Sequence, residues 1–256
     1  MKKKAKFPVI FVLILMSLFT ITTCDTSVND PIPKSPYLGE SFSIEGVQLC
    51  ERDNYSNKLS TMHKAYTGTD RTINAYVSVD HTLHLIGDGG EIKNGKFSIE
   101  VPSLSDGQIS NCNDFLEVFF SFWYSDMAKC NLKIIIENVP IAGDEKIATA
   151  VNFLADPYPP PKDMLMREGF SGTQTSLSAE EIYYIYVKYD CTITANEGGN
   201  PAVGYIYSSL DLPLKKGWNT VCMKETYTVF GISTYAAEVK NPDFEWVMMV
   251  LPDITT

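Results

Sequence analysis

This 256-residue chain carries 31 acids against 21 bases, a formal charge of −10 at neutral pH. That balance excludes a nucleic-acid binder, whose affinity draws on clustered lysine and arginine. The same acidity excludes a body held on anionic lipid by charge alone. The length suffices for one large domain or two ordinary ones, and the abundance of Tyr, Phe, Val, Ile and Thr favours sheet over helix.

The first element is an export segment. Lys2, Lys3, Lys4 and Lys6 precede the apolar run Phe7–Ile21, and Ile21-Thr22-Thr23-Cys24 follows. The run is about fifteen residues, a signal-peptide length and short of the ~20 a spanning helix needs. The order resembles a bacterial lipoprotein signal peptide over residues 1–23, with the threonine-containing lipobox of spirochaete type. The resemblance implies cleavage before Cys24, acylation of that cysteine and a place in the cell envelope, at the outer membrane or the periplasmic face. A single acyl chain binds membranes only marginally, whereas the two or three of a lipoprotein hold durably. An ordinary cleaved signal and an uncleaved anchor helix are the alternatives. Losing the signal removes four lysines and no acid, which leaves the remainder more acidic. Residues 24–37 hold three prolines and few large apolar groups, and read as an extended lipidated tether.

Strand patterns follow. Phe42–Leu49 alternates apolar and polar residues, and Thr72–Ile86 is the next strand region, broken by Asp88-Gly89-Gly90. Glu91–Val101 predicts a hairpin about Asn94-Gly95, ended by Pro102. Phe115–Trp123 and Leu132–Val139 are apolar runs, the first compatible with a buried strand or a short buried helix. Ile147–Ala155 fits strand or helix and leans to strand. Pro157-Tyr158-Pro159-Pro160-Pro161 predicts a stiff break, and Lys162–Leu177 a long loop. Ile182–Thr194 predicts one strand with Ile185, Val187, Tyr189, Cys191 and Ile193 on one face. Tyr205–Leu214, Trp218–Val229, Tyr235–Val239 and Phe244–Leu251 complete the series. Short strands with frequent turns predict an all-β chain. The preferred division is two tandem antiparallel β-sandwiches, immunoglobulin-like or transthyretin-like, over 38–142 and 162–256, with 143–161 as linker. One larger sandwich is the alternative.

Lipidation of Cys24 leaves five cysteines, an odd number, in a compartment that permits disulfides. Cys112 and Cys130 form the candidate pair; five unpaired and mostly buried thiols is the other reading. With no C-x-x-C present, neither a redox motif nor a zinc knuckle is expected.

Catalytic signals are sparse. His81-x-x-His84 on a strand points its rings to opposite faces, so neither metal nor cofactor is expected there. His81 is expected to be partly buried beside Val77 and Val79, and His84 to face solvent. Asp88-Gly-Gly-Glu91 lacks calcium-loop spacing and reads as a turn. Gly169-Phe-Ser-Gly172 matches a nucleophile elbow in composition only. A hydrolase would have to assemble a Ser/His/Asp site from scattered residues about His63, His81 or His84. Tyr184, Tyr186 and Trp218 are the candidate ligand surface. Tyr184 and Tyr186 lie opposite the Ile185/Val187 face, as a glycan or protein platform or as a second buried face.

The stretches Ile185-Tyr-Val-Lys-Tyr-Asp-Cys-Thr-Ile193 and Leu210-Asp-Leu-Pro-Leu-Lys-Lys-Gly-Trp-Asn-Thr-Val221 resemble segments of spirochaete (treponemal-type) lipoproteins of unknown function, and Gly90–Ile99 resembles their N-terminal hairpin. With the signal, these cover about a quarter of the chain. The resemblance implies family and location, and says little of activity. The function expected is a non-enzymatic, membrane-anchored envelope lipoprotein with a protein or glycan ligand. A periplasmic accessory protein for envelope assembly or transport and a scattered-site hydrolase are the alternatives.

Overall fold

The computed structural model describes residues 35–52, 63–111, 115–116, 134–139, 146–155, 163–173, 176–200 and 204–250. Before residue 140 lie β1 (Tyr37–Gly39), β2 (Phe42–Arg52), β3 (Lys64–Ala65), β4 (Arg71–Val79), β5 (Thr82–Lys93), β6 (Lys96–Val101), β7 (Ser110–Asn111) and β8 (Ile134–Glu137). After it come β9 (Lys146–Ala155), β10 (Asp163–Gly172), β11 (Ser176–Val187), β12 (Cys191–Ala195), β13 (Gly198–Asn200) and β14 (Tyr205–Tyr207). The last four are β15 (Leu210–Leu214), β16 (Gly217–Thr228), β17 (Ser233–Val239) and β18 (Glu245–Val250).

The chain is all-β, and eight of its strands close a barrel in the order β9-β4-β5-β6-β2-β18-β10-β11. Local chemistry builds its first wall. The φ angles of Asn94 (52°) and Gly95 (73°) make the β5–β6 turn that the sequence predicts. Val101 ends β6 ahead of Pro102, and Asp80 and His81 make a second positive-φ turn between β4 and β5. Non-local pairings then close the ring. β2 runs parallel to β18 from Leu49↔Trp246, β10 lies antiparallel to β18, and β9 pairs with β4 on one side and with β11 and β10 on the other.

Inward side chains alternate along each strand. Ile73, Ala75 and Val77 of β4 meet Phe97, Ile99 and Val101 of β6, Phe153 of β9, Tyr184 of β11 and Trp246 of β18. Outside the barrel, β16, β17, β14 and β13 extend the sheet from β11. The outer face of this flange carries Ile185, Val187 and Val221. It packs on a separate three-stranded sheet, β15-β12-β8, through Ile193, Leu212 and Leu214. Pro213 sits on edge strand β15, where its missing N–H costs no ladder bond.

Five sequence expectations are corrected. The described strands do not divide into tandem sandwiches over 38–142 and 162–256, because β4, β5, β6 and β2 share one closed barrel with β9, β10, β11 and β18. The 143–161 linker contains β9, a barrel stave, and the 162–177 loop contains β10. Asp88-Gly89-Gly90 does not end a strand. β5 continues through it with Gly87 and Gly89 at φ 67° and 80°. The single strand over 182–194 is two strands, β11 and β12, in facing sheets. Ile185, Val187, Cys191 and Ile193 nevertheless bury in one core, because the chain turns at Lys188–Asp190 from one layer to the other. The Pro-rich 157–161 break and most of Phe115–Trp123 lie outside the described residues.

Candidate functional site

β10 supplies the floor of the one described cleft that gathers a histidine with acids. Its alternation sends Arg167 into the barrel and Glu168 outward, where Glu168 is only 2% exposed. Antiparallel pairing sets Glu245 of β18 directly opposite Glu168. His63 directly precedes β3, which pairs with β2 at Cys50↔Ala65, and this carries the ring over both carboxylates. His63 Nε2 lies 2.9 Å from Glu168 Oε1 and Nδ1 lies 2.5 Å from Glu245 Oε2. With a proton on each ring nitrogen, His63 donates to a carboxylate on either side. Burial opposes that charge, but the hydrogen bonds and fields of Glu168 and Glu245 outweigh it and raise the His63 pKa to about 9.

Phe170 meets the His63 ring edge-on at 5.8 Å, and Phe170, Leu177 and Phe244 wall a depression of about 490 Å³. Asp243 stands exposed at its rim. Gly169 is required beneath Phe244, for a Cβ there would lie 2.5 Å from the ring. Behind the floor, Arg167 is buried without a carboxylate among the described residues. It donates to Asn241 Oδ1 and Pro242 O at 2.6 Å, and its guanidinium sits 5.8 Å from the Trp246 ring centre. It therefore ties the 241–244 turn, and with it Asp243 and Phe244, to the barrel core.

The arrangement sets carboxylates beside aromatic rings in one open depression. Both nitrogens of His63 are committed to carboxylates, so neither offers a lone pair to a metal or to a serine hydroxyl. Among the described residues, no group of three or more His, Cys, Asp or Glu is arranged to hold a metal ion. Glu245 and Asp243 present acceptors and negative charge beside two phenyl rings, a setting for a cation or a donor-rich group with an apolar stem.

The residues named from sequence fall elsewhere. Tyr184, Tyr186 and Trp218 are 3%, 4% and 1% exposed and pack in the core cluster of the barrel, so they form no surface platform. Tyr184 stacks between Phe42 and Trp246, Tyr186 donates to Glu40 Oε2 at 2.9 Å, and Trp218 Nε1 donates to Pro102 O at 2.9 Å. The reason is that β11 at Tyr184–Val187 and β16 at Gly217–Cys222 are covered on both faces, by the barrel core and by the small sheet, so alternation gives them no wet side there. His81 is exposed in its turn rather than packed beside Val77 and Val79, and His84 is exposed as expected.

Cys24, Cys112 and Cys130 lie outside the described residues. Cys50 is disulfide-bonded. Cys222 and Cys191 are buried thiols on opposite faces of the flange, one in the barrel core and one in the sandwich core. Burial and the neighbouring Glu180 push the Cys222 thiol up to about 12, which leaves it unreactive. The sequence offers His63 only as one of three histidines for a scattered hydrolase site, and its pairing with Glu168 and Glu245 leaves no signal there because they lie 105 and 182 residues away.

No family profile, curated protein or solved structure matches this chain.

Proposed function

We propose that the chain is a lipid-anchored lipoprotein of the bacterial cell envelope, akin to the spirochaete lipoproteins that it resembles in segments, and that it acts by binding rather than by catalysis. One observation carries the reading: a lysine-rich start, an apolar run too short to span a bilayer, and Cys24 at its end. The imidazolium of His63, closed on both sides by carboxylates, supports binding over hydrolysis.

The ligand that suits the cleft is a basic segment of a protein. Glu168, Glu245 and Asp243 outnumber His63 in charge, and Phe170 and Phe244 would flank the stem of a lysine or arginine. A neutral glycan would use the rings and leave the excess charge unmatched.

Mass spectrometry of the mature N-terminus tests the anchor. A diacylated or triacylated Cys24 is expected, and an unmodified Cys24 or cleavage elsewhere would remove it. Titration with an oligolysine peptide tests the ligand. Asp243→Asn with Glu245→Gln should weaken binding about tenfold, most strongly at low salt. A glycan-array signal without peptide binding would favour a sugar ligand instead.

A further inference from the structure

One end of the flange stands apart from the rest of this acidic molecule. Three stretches without a single charged side chain, residues 169–179, 198–210 and 226–237, converge there in their described parts, 169–173, 176–179, 198–200, 204–210 and 226–237. Pairing brings them together: Ser176↔Thr228 and Ser178↔Thr226 join β11 to β16, Tyr227↔Ser233 joins β16 to β17, and Tyr205↔Ser233 joins β14 to β17. The β16–β17 turn projects from this end. Its Phe230 is 83% exposed and its Val229 65% exposed, the two most exposed large apolar side chains among the described residues. Tyr205, Tyr227 and Tyr235 lie behind the tip. Tyr207 stacks on Tyr235 at 5.1 Å, and the Tyr235 hydroxyl donates to Glu225 Oε1 at 2.6 Å. The turn is held from beneath, for Gly231 N donates to Thr228 O and Ser233 N donates to Gly204 O. Two apolar side chains on a braced tip, backed by tyrosines and hydroxyls, match the depth profile of a membrane interface: apolar outermost, amphipathic rings next, charge last.

The chain's own entry direction agrees. β1 runs antiparallel to β16, with Gly39 opposite Trp218, Tyr37 opposite Asn219, and Pro36 O accepting from Thr220 N. Followed backward from Gly39 to Ser35, the chain therefore heads toward Thr228 and the tip. Thr220 to Thr228 is eight residues of strand, about 26 Å. Cys24 to Ser35 is eleven residues, which can span up to about 38 Å. A lipid on Cys24 thus reaches the level of Phe230.

We propose that the Val229–Phe230 turn is a second membrane contact, which dips into the headgroup–acyl boundary of the bilayer that holds the Cys24 lipid and so sets the orientation of the body. The proposal rests on the lipoprotein reading. Two exposed side chains bind a bilayer weakly by themselves, but the acyl anchor makes their insertion intramolecular and raises their effective concentration. The charged remainder stays in water, and the His63 cleft, whose Leu177 pairs with Tyr227, opens near the membrane-facing end.

The test uses the full lipidated protein with Phe230→Trp in phosphatidylcholine vesicles that contain lipid brominated high on the acyl chain. The spectrum of the unsubstituted protein is subtracted to remove its own tryptophans. The added emission should shift to the blue on reconstitution and fall by about half with brominated lipid. Flotation and the N-terminal mass are read on the same preparation. Flotation with acylated Cys24 but unquenched emission overturns the tip contact and leaves the anchor standing. Absent acylation or absent flotation overturns the anchor and the tip contact with it. A blue shift that grows with protein concentration without vesicles assigns the tip to a second copy of the chain and overturns the membrane contact.

Discussion

Glu168 lies almost wholly out of water, and His63 is one of the groups that balance its charge. Removing the ring by His63→Ala should destabilise the fold by about 3 kcal/mol, because a buried carboxylate loses a charged partner. The same pair makes stability depend on pH. The His63 pKa is raised from 6.5 to about 9 on folding, so its contribution is complete below pH 6.5 and is lost as pH rises through about 9. Urea midpoints measured across that window should fall for the unsubstituted protein. A His63→Gln variant should show a flatter profile, and equal slopes would remove the ion pair from the account. Arg167 and Trp246 make a second contrast inside the barrel. Arg167→Met strands the acceptors on Asn241 and Pro242 and should cost about 3 kcal/mol. Trp246→Phe loses no hydrogen bond seen among the described residues, where its Nε1 has no partner, and should cost about 1–2 kcal/mol of packing. Chemical denaturation of both variants reads the difference directly.

At the scale of elements, β10 shows why a glycine-rich stretch reads as a loop and folds as a stave. Gly169, Ser171 and Gly172 have little strand preference of their own. The ladder from β11 holds them extended, Gly169 opposite Glu180, Ser171 opposite Ser178 and Gly172 opposite Leu177, on a strand whose first half β18 and β9 also pair. Gly169 is also where the Phe244 ring lies against the backbone. Gly169→Ala should therefore displace Phe244 from the cleft, costing about 1–3 kcal/mol and weakening oligolysine binding. Calorimetric titration beside a melting curve separates the two effects. The Asn94-Gly95 turn is the opposite case, in which local chemistry and final structure agree. Gly95→Ala, at φ 73°, should cost about 1 kcal/mol with no change in ligand binding.

For the whole molecule, barrel closure makes the two halves of the chain interdependent. β9 pairs with β4 before it and with β10 and β11 after it, and β2 pairs with β18 near the end of the chain. Heating with disulfides intact should therefore give one cooperative transition, coincident by tryptophan emission and far-ultraviolet dichroism. Two separated transitions would restore the tandem-domain division. Residues 38–142 and 162–256, made separately, should stay unfolded, because each lacks the staves that close its sheet.

Much of the local structure was legible in the residues. The alternation of Phe42–Leu49, the Asn94-Gly95 turn and the one-sided Leu210, Leu212 and Leu214 all follow from the two-residue period of a strand and the φ angles of a turn. Which strands would meet was not legible, because hydrogen bonds between strands are the same for every sequence and the partners here lie far apart in the chain. Alternation placed Tyr184 and Tyr186 opposite Ile185 and Val187, but only the second layer of sheet decided that both faces are dry. The cleft depended on that assembly still more. His63, Glu168 and Glu245 carry no pattern in sequence, and their chemistry exists only because β3, β10 and β18 bring them within hydrogen-bond reach. The residues by themselves determined an all-β acidic body. Tertiary structure alone decided its closure into a barrel and the pairing of its buried charges, since both depend on contacts that no local pattern encodes.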